Sequence, residues 1–526
     1  MDIHGRIGKQ GGGVARAARS ALLVATLAGC LHAAPAQAPR EGAPVKEGEA
    51  VVPWADGPLT LGAAVRLALS RNHVVRIEEL GRPLAKAGVT EAWGQFDPRL
   101  SGSYGESLAE TPLAPFGAGS GARGFVGERV DKTTLGLEGV LPWGTGYRLG
   151  ADTWKLRNQG TGFTSTDGTT AWAGVSVTQP LLRGFGPASF ARVRVARTNL
   201  SLSEWEFRSV LMSTVTRTIA ACAELEFAEA RVTIARRSLE MAQQLRKENA
   251  RREELGAMSE YDVLSAEARV ASREETLQQA ERGLVYAGNA LLALVARSGA
   301  EVGAGGAPRV AALALPGPLQ GTRAEDLRDA LAKRPDYRQA ELLRKRGSLE
   351  KGEALNQLLP RVDLVASYGR NALAGDVAGA RADLRSREFE SWSTGVQVSV
   401  PLGSFAERGR HRAAGLRLRQ AELRLEKLEQ DIALEIADVA ARYESAHKRV
   451  SSAERARQLN QRALEAELKK LRAGTGTTFN VLYQQDQLNQ AELTEAYARA
   501  DLIRAAADYD QATGRTLETH GVEPLR

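Results

Sequence analysis

Two stretches of this chain are too long and too evenly patterned to lie inside an ordinary globule. The first runs from Gln179-Pro180-Leu181-Leu182 to about Val295, and the second from Val400-Pro401-Leu402 to about Thr513. Each opens at a proline ending an alternating, strand-like run, continues as a long helical pattern, breaks at glycine and resumes as a shorter helical pattern. The breaks are Leu255-Gly256-Ala257-Met258-Ser259-Glu260-Tyr261-Asp262-Val263-Leu264 and Ala473-Gly474-Thr475-Gly476-Thr477-Thr478-Phe479-Asn480-Val481-Leu482. At about 1.5 Å per residue, a helix of roughly 70 residues from Leu182 to Glu253 would reach ~105 Å, several times the width of a compact domain. The chain reads as a two-fold internal repeat with a period of about 220 residues, far beyond solenoid periods.

The helical stretches are striped. Leu211, Val215, Ile219, Cys222, Leu225, Ala228, Val232 and Ala235 recur at three- and four-residue steps, and Leu425, Leu428, Ile432, Val439, Tyr443 and Ala446 repeat the rhythm in the second half. This predicts helices packed lengthwise, with the Arg/Glu/Gln-rich remainder in water. A net charge of +7 from 70 basic and 63 acidic residues, spread over helix faces, describes a solvated surface and no nucleic-acid partner. Cys30 and Cys222 are the only cysteines, so no disulfide framework is expected, and Cys222 on the apolar stripe reads as a small buried hydrophobe.

Residues 1–29 carry Arg6, Lys9, Arg16 and Arg19 and then the short apolar run Ala21 to Gly29, the pattern of an export signal. Leu27-Ala28-Gly29-Cys30 resembles the bacterial lipobox, whose cysteine becomes the lipidated first residue; Leu31, where an inner-membrane retention signal would show Asp, favours outer-membrane sorting. Residues 30–58 read as a lipidated tether. Residues 59–297 form the first repeat, with strands at about 99–179 and long helices over 181–297. Residues 298–321 are a linker, 322–514 the second repeat with strands at about 361–400 and helices over 402–513, and 515–526 a tail.

The strand-like runs alternate. Val362, Leu364, Ala366 and Tyr368 share one face, as do Trp392, Thr394, Val396, Val398 and Val400. Such runs suit a transmembrane β-barrel, because lipid tolerates no unpaired edge; the alternative is a soluble hairpin. The first half holds four runs, near 99–108, 132–142, 146–156 and 171–179, to the second half's two. That gives six strands per chain, or four if the additional hairpin lies outside the membrane. Trp143, Trp172, Trp392, Tyr104 and Tyr368 are expected as interfacial girdle aromatics.

No HExxH, CxxC or GxxxxGK occurs, and the six histidines are scattered, so neither enzyme, metal nor cofactor is expected.

Leading helix, strand pair, proline-ended strand, very long helix, glycine tip and return helix, all occurring twice behind a lipobox, resemble the TolC-like outer-membrane efflux protein family over about residues 59–515. The resemblance implies a mixed α and β membrane protein. Its homotrimer would form an outer-membrane β-barrel continuing into a long periplasmic α-helical barrel closed at inward-coiled tips. It implies an outer-membrane channel subunit of a tripartite efflux or type I secretion system, with a periplasmic adaptor and an inner-membrane pump as partners, in a Gram-negative bacterium. Six strands per chain would give about eighteen, against the family's usual twelve. Gly256, Ala257, Met258 and Ser259, with Gly474, Thr475, Gly476 and Thr477, fall where family members meet the adaptor. Where some members ring the constriction with aspartates, this chain has Asn480 and Tyr483; Asp262 and Asp486 are the nearest carboxylates. The competing reading is a structural coiled-coil envelope lipoprotein without an open pore.

Overall fold

The computed structural model describes residues 54, 57–112, 125–160, 168–256, 258–304, 308–319, 321–386, 388–473 and 475–522. The expected signal segment and Cys30 lie outside them. Two compact units are assembled from interleaved parts of the chain, one from residues 89–196 and 348–416, the other from 47–88, 197–347 and 417–526.

The first unit is built on one antiparallel sheet. Its strands are β1 (Arg99–Pro112), β2 (Phe125–Val140), β3 (Gly146–Gly160), β4 (Gly168–Pro180), β5 (Arg361–Ala374) and β6 (Glu390–Ser399), hydrogen-bonded in that order. The two repeats meet where β4 pairs with β5, from Thr169 opposite Ala374 to Pro180 opposite Asp363. Among the described residues β1 and β6 each have a neighbour on one side only. Between β2 and β3 the chain reverses in a tight turn, where Gly144 donates to the Leu141 carbonyl at 2.8 Å and adopts φ +100. A side chain there would collide with the Gly184 carbonyl, so glycine is required.

The helices are α1 (Leu61–Arg71), α2 (His73–Glu79), α3 (Gly81–Trp93), α4 (Ala191–Glu254), α5 (Glu260–Val295), α6 (Gly299–Ala304), α7 (Arg323–Lys333), α8 (Pro335–Gln357), α9 (Val377–Ser386), α10 (Phe405–Arg472), α11 (Thr478–Thr513) and α12 (Thr516–Thr519). The Thr60 hydroxyl accepts from the Ala63 amide and caps α1. The first long helix starts at Ala191, not Leu182. Gly184 and Gly186 take φ +85 and +63, conformations a helix cannot use. The Arg183 side chain is held by Gln357 at 2.7 Å and the Gly184 amide by Asn356 at 2.8 Å. α4 is still 64 residues, about 96 Å long.

The core of the second unit is the expected stripe. Leu211, Val215, Ile219, Cys222 and Leu225 of α4 close on Leu291, Leu292 and Val295 of α5 and on Ile503 and Ala507 of α11. Burial pushes the Cys222 thiol up to about 12, which keeps it protonated and inert. The segment joining the repeats is part of this core: Val310 and Leu313 are buried, and Leu59 bridges to Val310. A second cluster joins Ile432 and Ile436 of α10 to Ala330 and Ala512, and a third joins Tyr443 and Ala446 to Leu502 and Tyr509. Beside them Tyr509 donates to the buried Asp326 at 2.6 Å, and Arg515 reaches Asp326 and Asp329 at 3.1 and 3.0 Å. Among the described residues no helix is long and apolar enough to cross a membrane.

Candidate functional site

Strand alternation sorts the sheet into two chemically different faces. Register places Leu100 opposite Leu137, Leu137 opposite Leu149, Leu149 opposite Val175, Val175 opposite Tyr368, and Tyr368 opposite Trp392. Leu364 and Val398 lie on this same face, opposite Val396 and Val362 respectively. The face is apolar and open: Trp392 is 73% exposed, Val396 62% and Leu100 57%. The opposite face carries Ser101, Thr134, Arg148, Asp152, Ser176, Asp363, Ser367 and Gln397 with several glycines, and there Asp363 is only 2% exposed. A six-stranded sheet that encloses Asp152 and Asp363 on its polar face while Leu100, Val396 and Trp392 stand bare on the other is inverted relative to a water-soluble protein, although the polar side chains of the edge strands β1 and β6 are exposed too.

One aromatic expectation is corrected. Trp172 stands opposite Asp152 on the polar face, and its indole lies across Gly174 and Gly369, which have no side chain to obstruct it. Trp143 sits in the β2–β3 turn, next to the strand ends. Tyr104, Tyr368 and Trp392 do lie on the apolar face.

The glycine breaks separate helices of matched length, α4 from α5 and α10 from α11, the return helices each having 36 residues. At the first break Gly256 has φ +68 and its amide donates to the Glu253 carbonyl at 2.8 Å, ending α4. Ser259 caps α5 by accepting from the Asp262 amide, and its hydroxyl donates to the Asp262 carboxylate at 2.6 Å. At the second break the Thr475 and Gly476 amides both donate to the Lys470 carbonyl, at 3.0 and 3.1 Å, and Thr477 caps α11 through the Asn480 amide. A side chain on Gly476 would press on the Lys470–Leu471 backbone. Met258 is half-buried, whereas Leu255, Tyr261, Leu264, Phe479 and Tyr483 are exposed. Ala257 and Gly474 lie outside the described residues.

The candidate carboxylates are not equivalent. Asp486 of α11 is clamped by two arginines of α5, Arg273 and, at 3.0 Å, Arg269. Asp262 instead serves the first turn of α5. Among the described residues no hydrogen bond or ion pair joins the two, and Asn480 and Tyr483 contribute no charge. Sequence reasoning named Asp486 but missed its partners. Their i,i+4 spacing on one face of α5 was the available signal. No group of metal-ligating side chains occurs among the described residues.

Residues 327–515 match the outer membrane efflux protein family. No curated protein of similar sequence matches the chain. The fold is shared with solved channels at low identity. The CmeC outer membrane channel of Campylobacter jejuni is 16% identical, with a TM-score of 0.63 over 87% of this chain and 86% of that one. The outer membrane protein VceC of Vibrio cholerae is 18% identical, with a TM-score of 0.62 over 86% and 96%. The open-state MtrE outer membrane channel of Neisseria gonorrhoeae is 18% identical, with a TM-score of 0.60 over 87% and 89%.

Proposed function

Taking the chain as a member of the outer membrane efflux protein family, which its match over residues 327–515 and its fold support, we propose that it is the outer-membrane channel subunit of a tripartite efflux or type I secretion assembly. The observation that carries this reading is the inverted sheet with two open edges. In hydrocarbon each unpaired backbone group costs several kcal/mol, so such a sheet must close on itself. Six strands enclose no aqueous space, whereas three copies joined β6 to β1 give about eighteen, a number that leaves a water-filled lumen. The polar face of Ser, Gly, Asp and Arg then lines that lumen, and the apolar face meets lipid.

In this homotrimer the long helices form the periplasmic conduit, with Cys30 adding an acyl anchor behind the cleaved signal. The tip residues Gly256, Ala257, Met258 and Ser259, with Gly474, Thr475, Gly476 and Thr477, meet the adaptor that couples the duct to an inner-membrane pump. The duct is passive, and the pump supplies the energy. Near the tips the two guanidinium groups on Asp486 compensate its charge, so while the clamp holds, Asp486 offers no acidic ring to select cations.

Reconstitution of the purified protein into planar bilayers tests the reading. Uniform single-channel steps from a heat-modifiable trimer are expected, and a monomer that stays in solution without detergent and never conducts would overturn it.

A further inference from the structure

We propose that α9 and the strand ends beneath it form a site for the phosphorylated headgroup of an outer-leaflet glycolipid, an inference that rests on the sheet spanning the outer membrane. α9 is seated on the sheet: Ala380 is 1% exposed and packs with Leu384 on Ala171, Ala372 and Ala374. Ala171 and Ala372 are register partners across β4 and β5. By two-residue alternation they share the face of Val175, Val177, Leu364 and Tyr368, the apolar one. The helix thus lies on the side that meets lipid, at the strand ends remote from Pro180 and Pro401.

Its height along the strands fits the headgroup layer. The ten residue steps from Leu364 to Ala374 extend roughly 33 Å, and at a tilt near 40° they rise ~25 Å, the height of a barrel's apolar band. α9 therefore sits where hydrocarbon gives way to headgroups.

The chemistry of its outer side is cationic. Arg381 and Arg385, one turn apart, are both exposed and make no ion pair with any described residue. Asp376 is engaged at the start of the helix, its carboxylate accepting from the Gly379 amide at 2.8 Å. Arg370 lies on the same sheet face but stands opposite Glu390 of β6 as well as Ala173 of β4, so Arg381 and Arg385 carry the site. By contrast Arg129 and Arg157 on that face are neutralised by Glu106 and Asp131. With its apolar underside taken up by the sheet, α9 holds these two arginines outward at a fixed spacing, and guanidinium forks match phosphate oxygens in pairs.

The test compares the wild-type full-length protein with R381Q/R385Q, both in phosphatidylcholine nanodiscs. The probes are diphosphoryl lipid A, its phosphate-free form and phosphatidylglycerol, with bound lipid quantified by mass spectrometry and single-channel conductance recorded in parallel. Wild type should bind diphosphoryl lipid A about thirty-fold more tightly than the double variant, following roughly five-fold per arginine. Conductance should be unchanged. Equal binding by the two proteins, or equally tight wild-type binding of the phosphate-free form or of phosphatidylglycerol, would overturn the site. A wild-type protein that fails to conduct would instead overturn the channel reading on which it rests.

Discussion

The two long helices, α4 with 64 residues and α10 with 68, occupy equivalent places in the repeat yet bury their apolar residues very differently. α4 leaves no large hydrophobic side chain strongly exposed, and Val215, Cys222 and Leu225 are fully enclosed. α10 encloses Ile432 and Ile436 but bares Leu416, Leu423, Leu434 and Leu459, the last two at 66% and 64%. Similar length and periodicity therefore do not mean equal function. α4 organises the core of its own chain, whereas α10 carries a second apolar stripe that one chain cannot cover, at steps of seven and eleven residues from Leu416 to Leu434. In the proposed trimer that stripe is where a neighbouring copy packs.

Truncation in each helix should separate the two roles. Leu225→Ala removes a fully enclosed side chain and should cost about 2–5 kcal/mol of folding stability, read by denaturant unfolding. The contrast breaks if the loss is as small as that of a surface change. Leu434→Arg should leave the fold of each chain nearly unchanged, within about 0.5 kcal/mol. It should nonetheless convert heat-modifiable trimers to monomers, and intact trimers would mean that α10 faces only water. A smaller effect is expected nearer the tips, where the Asp486 clamp ties α11 to α5 through partly exposed pairs worth roughly 0.2–1 kcal/mol each. The double variant R269A/R273A should raise basal conductance and shift selectivity toward cations through the freed carboxylate, and reversal potentials in asymmetric salt would show it.

pH provides the gentlest comparison. The α4 core holds a thiol that titrates only at about 12, so it does not respond near neutrality. The end of α11 differs: burial pulls His520 below its usual value of 6.5, although the adjacent Asp510, itself raised by burial, opposes this. A histidine whose folded pKa is depressed binds its proton more tightly in the unfolded chain. Its contribution to stability is full above about pH 6.5 and is lost as pH falls through that value toward the folded one. Hydrogen exchange of α11 and α12 should accelerate on acidification through this window in wild type and less so in His520→Gln; identical profiles would remove His520 from the account.

Much of this was legible from residue spacing. The alternation of Val362, Leu364, Ala366 and Tyr368, and of Trp392, Thr394, Val396 and Val398, anticipated that each set shares a face, and the register of β5 with β6 sets the two opposite one another. The stripe from Leu211 to Leu225 anticipated the core because a helix repeats its face every three or four residues. Spacing failed where a tertiary contact decided the outcome. Residues 181–190 look helical, yet Asn356 and Gln357 hold them in a loop with two left-handed glycines. The Ala/Arg/Asp segment between β5 and β6 forms α9, because Ala171 and Ala372 give its small side chains a surface to pack on. Aromatic character alone suggests a girdle position for Trp172, whereas its register, opposite Asp152, fixes it on the polar side. At the tips the carboxylate Asp486 was visible in the sequence, and its neutralisation by Arg269 and Arg273, more than 200 residues away, was not.

The central claim is that an apolar-faced sheet with two open edges closes with copies of itself. A cryo-electron microscopy map of the purified oligomer in lipid nanodiscs tests it most directly. The account predicts three chains forming one closed barrel of about eighteen strands, with Leu100, Val396 and Trp392 facing lipid and Asp152 and Asp363 facing the lumen. A single chain with its β1 and β6 edges still unpaired, or a sheet packed with Leu100 and Val396 turned inward, would contradict it.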